Sequence, residues 1–303
     1  MQTFSDERLA ERQGGIGGSD AAAAVGMSPW KTPYALFLEK TGQAEPEEST
    51  EIMRLGTRLE DVIADEYMER TGRKLHRVNQ LLRHKAHPWM LASLDRRIVG
   101  EPAVVECKAV NAFAYRSEEW GPEGTDEIPT SYLIQCHHYL AVTGYERAEL
   151  AALVGGSTLK IYVVPRSEEF IATLIEREAA FWAHVERKEP PPVSSVDEAK
   201  ARWPVSSGVS IEATPEVAAA CARLKELKAK AKDLEADVDD VDTIVRGFMG
   251  DADTLVLGEK TLATWKSAKP SDRFDAKRFE AENPDLYRAY VSPVPGARRM
   301  LLK

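Results

Sequence analysis

The chain has 303 residues and a formal net charge of −9, with 43% hydrophobic and 29% charged residues. That is enough chain to bury a full core and carry an extension, in proportions ordinary for a globular protein. No apolar run nears the ~18 residues of a membrane span, Met1 to Arg8 lacks the apolar core of a signal peptide, and three widely spaced cysteines give neither a disulfide framework nor a zinc pattern. The cytosol is the expected compartment, with no membrane partner.

Taken from the N-terminus, Arg12-Gln-Gly-Gly-Ile-Gly-Gly-Ser19-Asp20 precedes the alanine-rich run Ala21 to Val25. Ser19 or Asp20 is a good N-cap and the alanines favour helix. A helix start with free N–H groups, a serine hydroxyl and Arg12 nearby is a ready anion site. The glycines do not follow a strand, which argues against a dinucleotide fingerprint. Met27 to Pro33 reads as a turn, Tyr34 to Lys40 as a short helix closed by Gly42, and residues 44–50 as an acidic loop. From Glu51 to Arg70 the apolar stripe Ile52, Leu55, Leu59, Val62, Ile63, Tyr67 predicts an amphipathic helix ending before Gly72. Glu60 lies at the edge of that stripe. It can reach a site on the sheet below or pair with Arg58 on the surface.

Between Arg73 and Arg97 seven cations face one acid, Asp95, with His76, His84 and His87 in the same window. A locally basic stretch inside an acidic chain suits delivery of a polyanion, or is a solvated surface. It leads into Leu91 to Asp95 and then Val104-Val105-Glu106-Cys107-Lys108-Ala109-Val110. The second run reads as a buried strand, with Glu106 and Lys108 on one face with Val104 and Val110, and Val105, Cys107 and Ala109 on the other. Val99-Gly-Glu-Pro102 is the expected turn folding the run that ends at Asp95 back beside it. Two carboxylates and a lysine gathered on one hairpin face become reasonable around a hard cation with a scissile phosphate beside it.

Downstream, Asn111 to Glu127 is polar and reads as a flap. A helix follows from Ile128-Pro129 through Gln135 and Val142 to a stop at Gly144. Leu150 to Val154 and Leu159 to Val164 are strands joined by Gly155-Gly156-Ser157, and Phe170 to Lys188 is a helix before Pro190-Pro-Pro192. The expected fold class is α/β (α+β), a mixed central sheet flanked by helices. The expected division is a core over 1–190, a linker over 191–213 and an extension over 214–303. In that extension Thr214-Pro215 starts a helix. Ala220, Leu224, Leu227, Ala231, Leu234, Val238, Val241, Val245 and Phe248 then recur in steps of four and three, a coiled-coil pattern ending at Gly250. Leu255 to Leu257 and Thr261 to Trp265 read as a hairpin, and Arg299 to Leu302 as a last strand. None of this carries a catalytic constellation; it is a module for assembly, for a partner or for gripping DNA.

Taken together, Arg12 with Gly17-Gly18-Ser19-Asp20, Ser28-Pro-Trp-Lys-Thr-Pro33, Gly56-Thr-Arg-Leu-Glu60, Ser93-Leu-Asp95, Glu106-Cys-Lys108 and Gln135-Cys-His-His-Tyr139 to Gly144 resemble, in order, one known family. It is that of the viral recombinase nucleases of the YqaJ type, relatives of phage lambda exonuclease in the PD-(D/E)XK superfamily. The resemblance covers residues ~5 to 188, each motif weak alone and specific in register. It implies a PD-(D/E)XK nuclease core in which Asp95, Glu106 and the Cys107 carbonyl hold Mg²⁺ (Mn²⁺ being an alternative), with Glu60 serving a second metal or the water. Lys108 would orient or deprotonate that water. Arg12 and Ser19 map onto the pocket for a terminal 5′-phosphate, with Ser93 and His137 as further DNA contacts. Where relatives carry Gln-x-Gln this chain has Gln135-Cys-His137, and Leu94 stands where a proline is usual before the first catalytic Asp. The implied activity is 5′→3′ digestion of linear double-stranded DNA ends, leaving 3′ single strands for a single-strand annealing protein in a phage- or prophage-infected bacterial cytoplasm. A homo-oligomer, with a ring-shaped trimer as its expected form, belongs to the same resemblance. The other readings are a DNA endonuclease of the same superfamily and a non-catalytic nucleic-acid-binding scaffold. An iron–sulfur repair nuclease is disfavoured, because a cluster needs four cysteines.

Overall fold

The computed structural model describes residues 11–44, 50–116, 119–293 and 296–302, so the expected acidic loop lies almost wholly outside the described residues. The chain divides into two compact units, Met1–Ala199 and Lys200–Lys303.

In the first unit β1 (Ile16–Gly17) leads directly into α1 (Gly18–Ala24), followed by α2 (Pro33–Lys40) and α3 (Glu51–Thr71). Both longer helices start as their sequences dictate. Thr32 Oγ1 accepts from the Ala35 N–H ahead of a first-turn proline, and Thr50 Oγ1 accepts from the Met53 N–H. Gly72, at φ 71°, closes α3 in the left-handed conformation that glycine adopts without strain. Next come β2 (Leu75–Arg77), β3 (Leu82–Arg83), β4 (Met90–Ala92), β5 (Arg96–Ile98) and β6 (Ala103–Val110). Then follow α4 (Thr130–Thr143), β7 (Arg147–Val154), β8 (Thr158–Pro165) and α5 (Glu168–Arg187), and α6 (Val196–Arg202) runs across the boundary into the second unit.

The main sheet has the order β2-β5-β6-β7-β8, parallel only between β6 and β7. A parallel pair cannot be joined by a hairpin and needs a crossover, which α4 supplies. That connection lays α4 across the sheet face bearing Val104, Leu150 and Tyr162, where it buries Cys136, Tyr139 and Leu140. On the opposite face Ile63, Ala64 and Tyr67 of α3 pack on Val105, Cys107, Ala151 and Leu153. The alanines of α1 and Leu36 and Phe37 of α2 pack with Leu174, Phe181 and Val185 of α5 in a third cluster. A small second sheet, β1-β4-β3, pairs β1 parallel and β3 antiparallel to β4.

The second unit holds α7 (Pro215–Met249), the antiparallel hairpin β9 (Thr254–Leu257) and β10 (Lys260–Thr264), then α8 (Ala276–Glu282) and α9 (Pro284–Tyr290). Arg246, near the end of α7, lies 4.9 Å from the Trp265 ring centroid, tying the hairpin to that helix. Among the described residues no helix is long and apolar enough to cross a membrane.

Several expectations need correcting. The strand paired with Val104-Val105 is Arg96–Ile98, which begins after Asp95; the apolar run before it joins the small sheet instead. The turn over 99–102 stands. Ala109 is exposed rather than packed, because α3 covers only the N-terminal part of that face. Half of the expected α3 stripe is also exposed, Ile52 at 83%, since the buried face is confined to the C-terminal half of the helix. Residues 299–302 form no strand; the hairpin sheet has two strands only. The basic window is less free than its composition implies. Arg73 pairs with Glu149, and Arg77 and Arg96 both pair with Asp61, so much of that charge is spent within the fold.

Candidate active site

Strand β6 carries the centre of the site. Residues 104, 106 and 108 alternate onto the face covered by α4, so Glu106 and Lys108 point toward that helix while Val105 and Cys107 face α3. Glu106 is buried at 3% exposure, and its Oε1 receives both the Lys108 ammonium (2.6 Å) and the Gln135 Nε2–H (2.6 Å). Gln135 Nε2 also donates to the Tyr139 hydroxyl (2.9 Å), one helical turn further along α4. The second carboxylate oxygen, Glu106 Oε2, is buried and has no hydrogen-bond partner. Asp95, just before β5, accepts the Cys107 N–H on Oδ2 (2.9 Å), which locks it against the strand bearing Glu106.

Electrostatics ties four groups together. Burial first, then the Asp95 charge, push the Glu106 carboxyl up to about 8. The same two causes push the Glu60 carboxyl of α3 up to about 7. Burial disfavours the Lys108 ammonium, but Glu106 and Asp95 outweigh it and hold its pKa above the ordinary lysine value. Two carboxyls, Glu106 and Glu60, that resist ionisation beside the Asp95 charge mark a site short of positive charge.

Among the described residues no three His, Cys, Asp or Glu side chains converge as a ready-made metal cage. The donor set nevertheless fits a hard divalent cation. It consists of carboxylate oxygens, with one buried oxygen lacking any partner and excess negative charge around it.

Lys108 Nζ lies 5.7 Å from the Tyr132 ring centroid. Tyr132 continues into an aromatic patch, with Trp30 at 6.2 Å and Trp120 at 5.9 Å between centroids. These three rings and Val110 line a cleft of about 520 Å³, and Trp30 is 72% exposed beside it.

The remaining expected residues fall in different places. Arg12 and Ser19 come together, Arg12 donating to Ser19 Oγ at 3.4 Å. Lys40 braces the same corner through the Arg12 carbonyl (2.9 Å) and the Asp20 carboxylate (2.7 Å). Ser93 is exposed on the loop between β4 and Asp95. Gln135 binds Glu106. His137 is buried against Phe170, with ring centroids 4.2 Å apart, and burial pulls its pKa down to about 4. At 100° per residue, position 137 lies about 200° around α4 from Gln135, so both cannot face Glu106. Two contributors lay in the quoted motif without a role. Tyr139 is four residues from Gln135, a spacing that puts both on one face. His138 links Glu178 (2.8 Å) to the Leu91 carbonyl (2.9 Å), anchoring the strand that leads to Asp95.

Residues 8–146 match the model of the YqaJ-like viral recombinase domain. The uncharacterized protein YqaJ of Bacillus subtilis (strain 168) is 35% identical over 291 residues, covering 93% of this chain and 89% of its own. Among solved structures, the alkaline exonuclease LHK-Exo from Laribacter hongkongensis superposes with a TM-score of 0.50 at 20% identity, over 61% of this chain and 94% of that one, a likeness of fold. The chain belongs to the YqaJ-like viral recombinase family.

Proposed function

We propose that this protein is a divalent-metal-dependent exonuclease that digests linear double-stranded DNA in the 5′→3′ direction. The observation that carries the reading is the buried Glu106 with one oxygen unpartnered, clamped between Lys108 and Gln135 beside Asp95. Asp95, Glu106 and the Cys107 carbonyl would hold Mg²⁺, or Mn²⁺, with Glu60 at its margin. Bound there, the ion would supply Lewis-acid stabilisation of the phosphate and make the attacking water more acidic.

The chain's own residues do the rest. Lys108, held as an ammonium by Glu106 and Asp95, orients the attacking water, its position set by Glu106 and by the Tyr132 ring beneath it. Gln135 fixes the Glu106 rotamer, so the carboxylate does not swing away when the site binds its ligand. The nucleobase next to the scissile phosphate stacks in the cleft of Trp30, Trp120 and Tyr132, which any base can use because every base has a π-face. Arg12 and Ser19 receive the terminal 5′-phosphate through charge-assisted hydrogen bonds, giving the enzyme its polarity on an end. The product, duplex with 3′ single strands, is the substrate of a single-strand annealing protein, the partner this reading assigns in a bacterial cytoplasm. Assembly as a ring-shaped trimer belongs to the same reading.

The test is digestion of linear duplex bearing a 5′-phosphate, beside 5′-hydroxyl linear and closed circular DNA, with and without Mg²⁺. Loss of linear DNA only, faster with the phosphate and abolished in Lys108→Ala, is the expected result. Cutting of the circle would instead favour an endonuclease. Binding without digestion in any divalent metal would leave a scaffold.

A further inference from the structure

The one long helix of the second unit, α7, spans 35 residues and leaves its apolar seam in the open: Leu234 is 64% exposed, Val241 61% and Phe248 80%. A helix of this length with a continuous heptad seam is an unfinished coiled coil, because its stability in water comes from packing that face. We propose that the seam is the interface with a second copy of this chain, and that the two helices run antiparallel. This surface is independent of the nuclease reading.

Charge decides both the occupant and the direction. From Arg223 to Lys232 the helix carries five cations and one acid, Glu226; from Asp233 to Asp242 it carries six acids and no cation. Two such helices side by side and parallel bring like halves together. Antiparallel, the basic half of each lies along the acidic half of the other. The seam accommodates an axis at that same point. With a twofold axis between Lys232 and Asp233, Leu224 lies opposite Val241 of the other copy, Leu227 opposite Val238 and Ala231 opposite Leu234, so every core layer is filled. The charge boundary thus selects one of the axes that the apolar register permits.

The flanking positions sharpen the contrast. In the antiparallel register Lys228 flanks the core beside Glu235 and Asp242 of the second copy, and Arg223 and Lys230 flank it beside Asp237. Like charges meet only at Lys230 and Glu235 near the axis. In the parallel register Arg223 would meet Lys228 and Asp237 would meet Asp242, leaving Lys230 with Glu235 as the sole attractive pair.

The two arrangements therefore predict opposite signs for one substitution. Sedimentation equilibrium of the full chain is expected to show concentration-dependent association that halves in mass in Leu227→Asp. Lys228→Glu is expected to raise the dissociation constant about tenfold, the scale of several flanking ion pairs lost at once. Adding Asp242→Lys is expected to recover most of that loss. Tighter association in Lys228→Glu would mean a parallel pair and would overturn the proposal. So would a wild-type chain that stays at 33.6 kDa, or an assembly indifferent to both Leu227→Asp and Lys228→Glu. Because these variants leave Asp95, Glu106 and Lys108 untouched, DNA digestion serves as the check that the chain is folded.

Discussion

At the scale of the residue, Glu106 sits where a purely structural glutamate would not. Its side chain is buried, one oxygen is doubly occupied and the other has nothing, an arrangement that costs stability in exchange for a vacant, oriented donor. A bound dication would offset that cost. In the presence of millimolar Mg²⁺ the wild type is therefore expected to gain on the order of 1 kcal/mol against chemical denaturation, and Glu106→Gln to gain nothing. Equal stabilisation of both proteins would remove Glu106 from the ligand set. Gln135 acts on the reaction through Glu106 rather than on the substrate. Gln135→Ala should cut the digestion rate by about 10- to 100-fold and raise the Mg²⁺ needed for half-maximal rate, the pattern of a lost supporting hydrogen bond. An unchanged metal requirement would deny it that positioning role. The carboxylates and lysine were legible in the sequence because alternation along one strand is enough to gather Glu106 and Lys108. The partner of Glu106 was not, because nothing in a linear sequence says which residue of a crossover helix will lie above which residue of the strand.

At the scale of the element, α4 is the organising piece. Its Gly144 stop and apolar content made it readable, and the two strands after it as well. What escaped was β1 to β3, pieces of two or three residues that are too short to show any period. They matter, since β4 between β1 and β3 sets the loop that carries Asp95. His138 holds that strand from α4: both ring nitrogens face acceptors, Glu178 from α5 and the Leu91 carbonyl from β4, with the Asp20 charge of α1 nearby. A neutral imidazole has only one N–H, so two acceptors favour the imidazolium. Burial opposes it, but Glu178 outweighs burial and raises the His138 pKa above its ordinary value. A raised folded-state pKa contributes stability that is complete below the unfolded histidine value of about 6.5 and is lost as pH climbs through the folded value. Urea midpoints should accordingly fall above neutral pH in the wild type, and much less in Glu178→Gln; parallel slopes in the two proteins would refute the pairing. The α1–α4 contact offers a separate check. A Cβ on Gly18 would come within 2.3 Å of the Tyr139 ring, so Gly18→Val is expected to cost roughly 1–3 kcal/mol of stability. Because Tyr139 holds Gln135, it should also slow digestion beyond what the lost stability explains.

At the scale of the molecule, the boundary at Ala199/Lys200 falls within α6, a short helix between Pro190-Pro-Pro192 and the exposed run from Pro204. Heptad periodicity made α7 legible, and the turn residues Gly258-Glu259 made its hairpin legible. The two short helices after them, α8 and α9, carry too few apolar residues to announce themselves, and they bury none. The first unit contains all three buried clusters and every carboxylate of the candidate site, so it has what an independently folding domain requires. From Pro204 to Ala213 the chain forms no helix or strand and is exposed throughout, the character of a segment that proteases cut first. Limited proteolysis of the full chain is expected to cleave within this stretch and release an N-terminal fragment that unfolds in one cooperative transition. That fragment should still digest linear duplex DNA in Mg²⁺, while any association through α7 is lost with the other fragment. A fragment that is cut into smaller pieces as fast as it forms would mean that the first unit depends on the second. Activity that vanishes from a fragment still folded would mean instead that the second unit contributes to holding the DNA, and would move α7 from an assembly device to part of the substrate path.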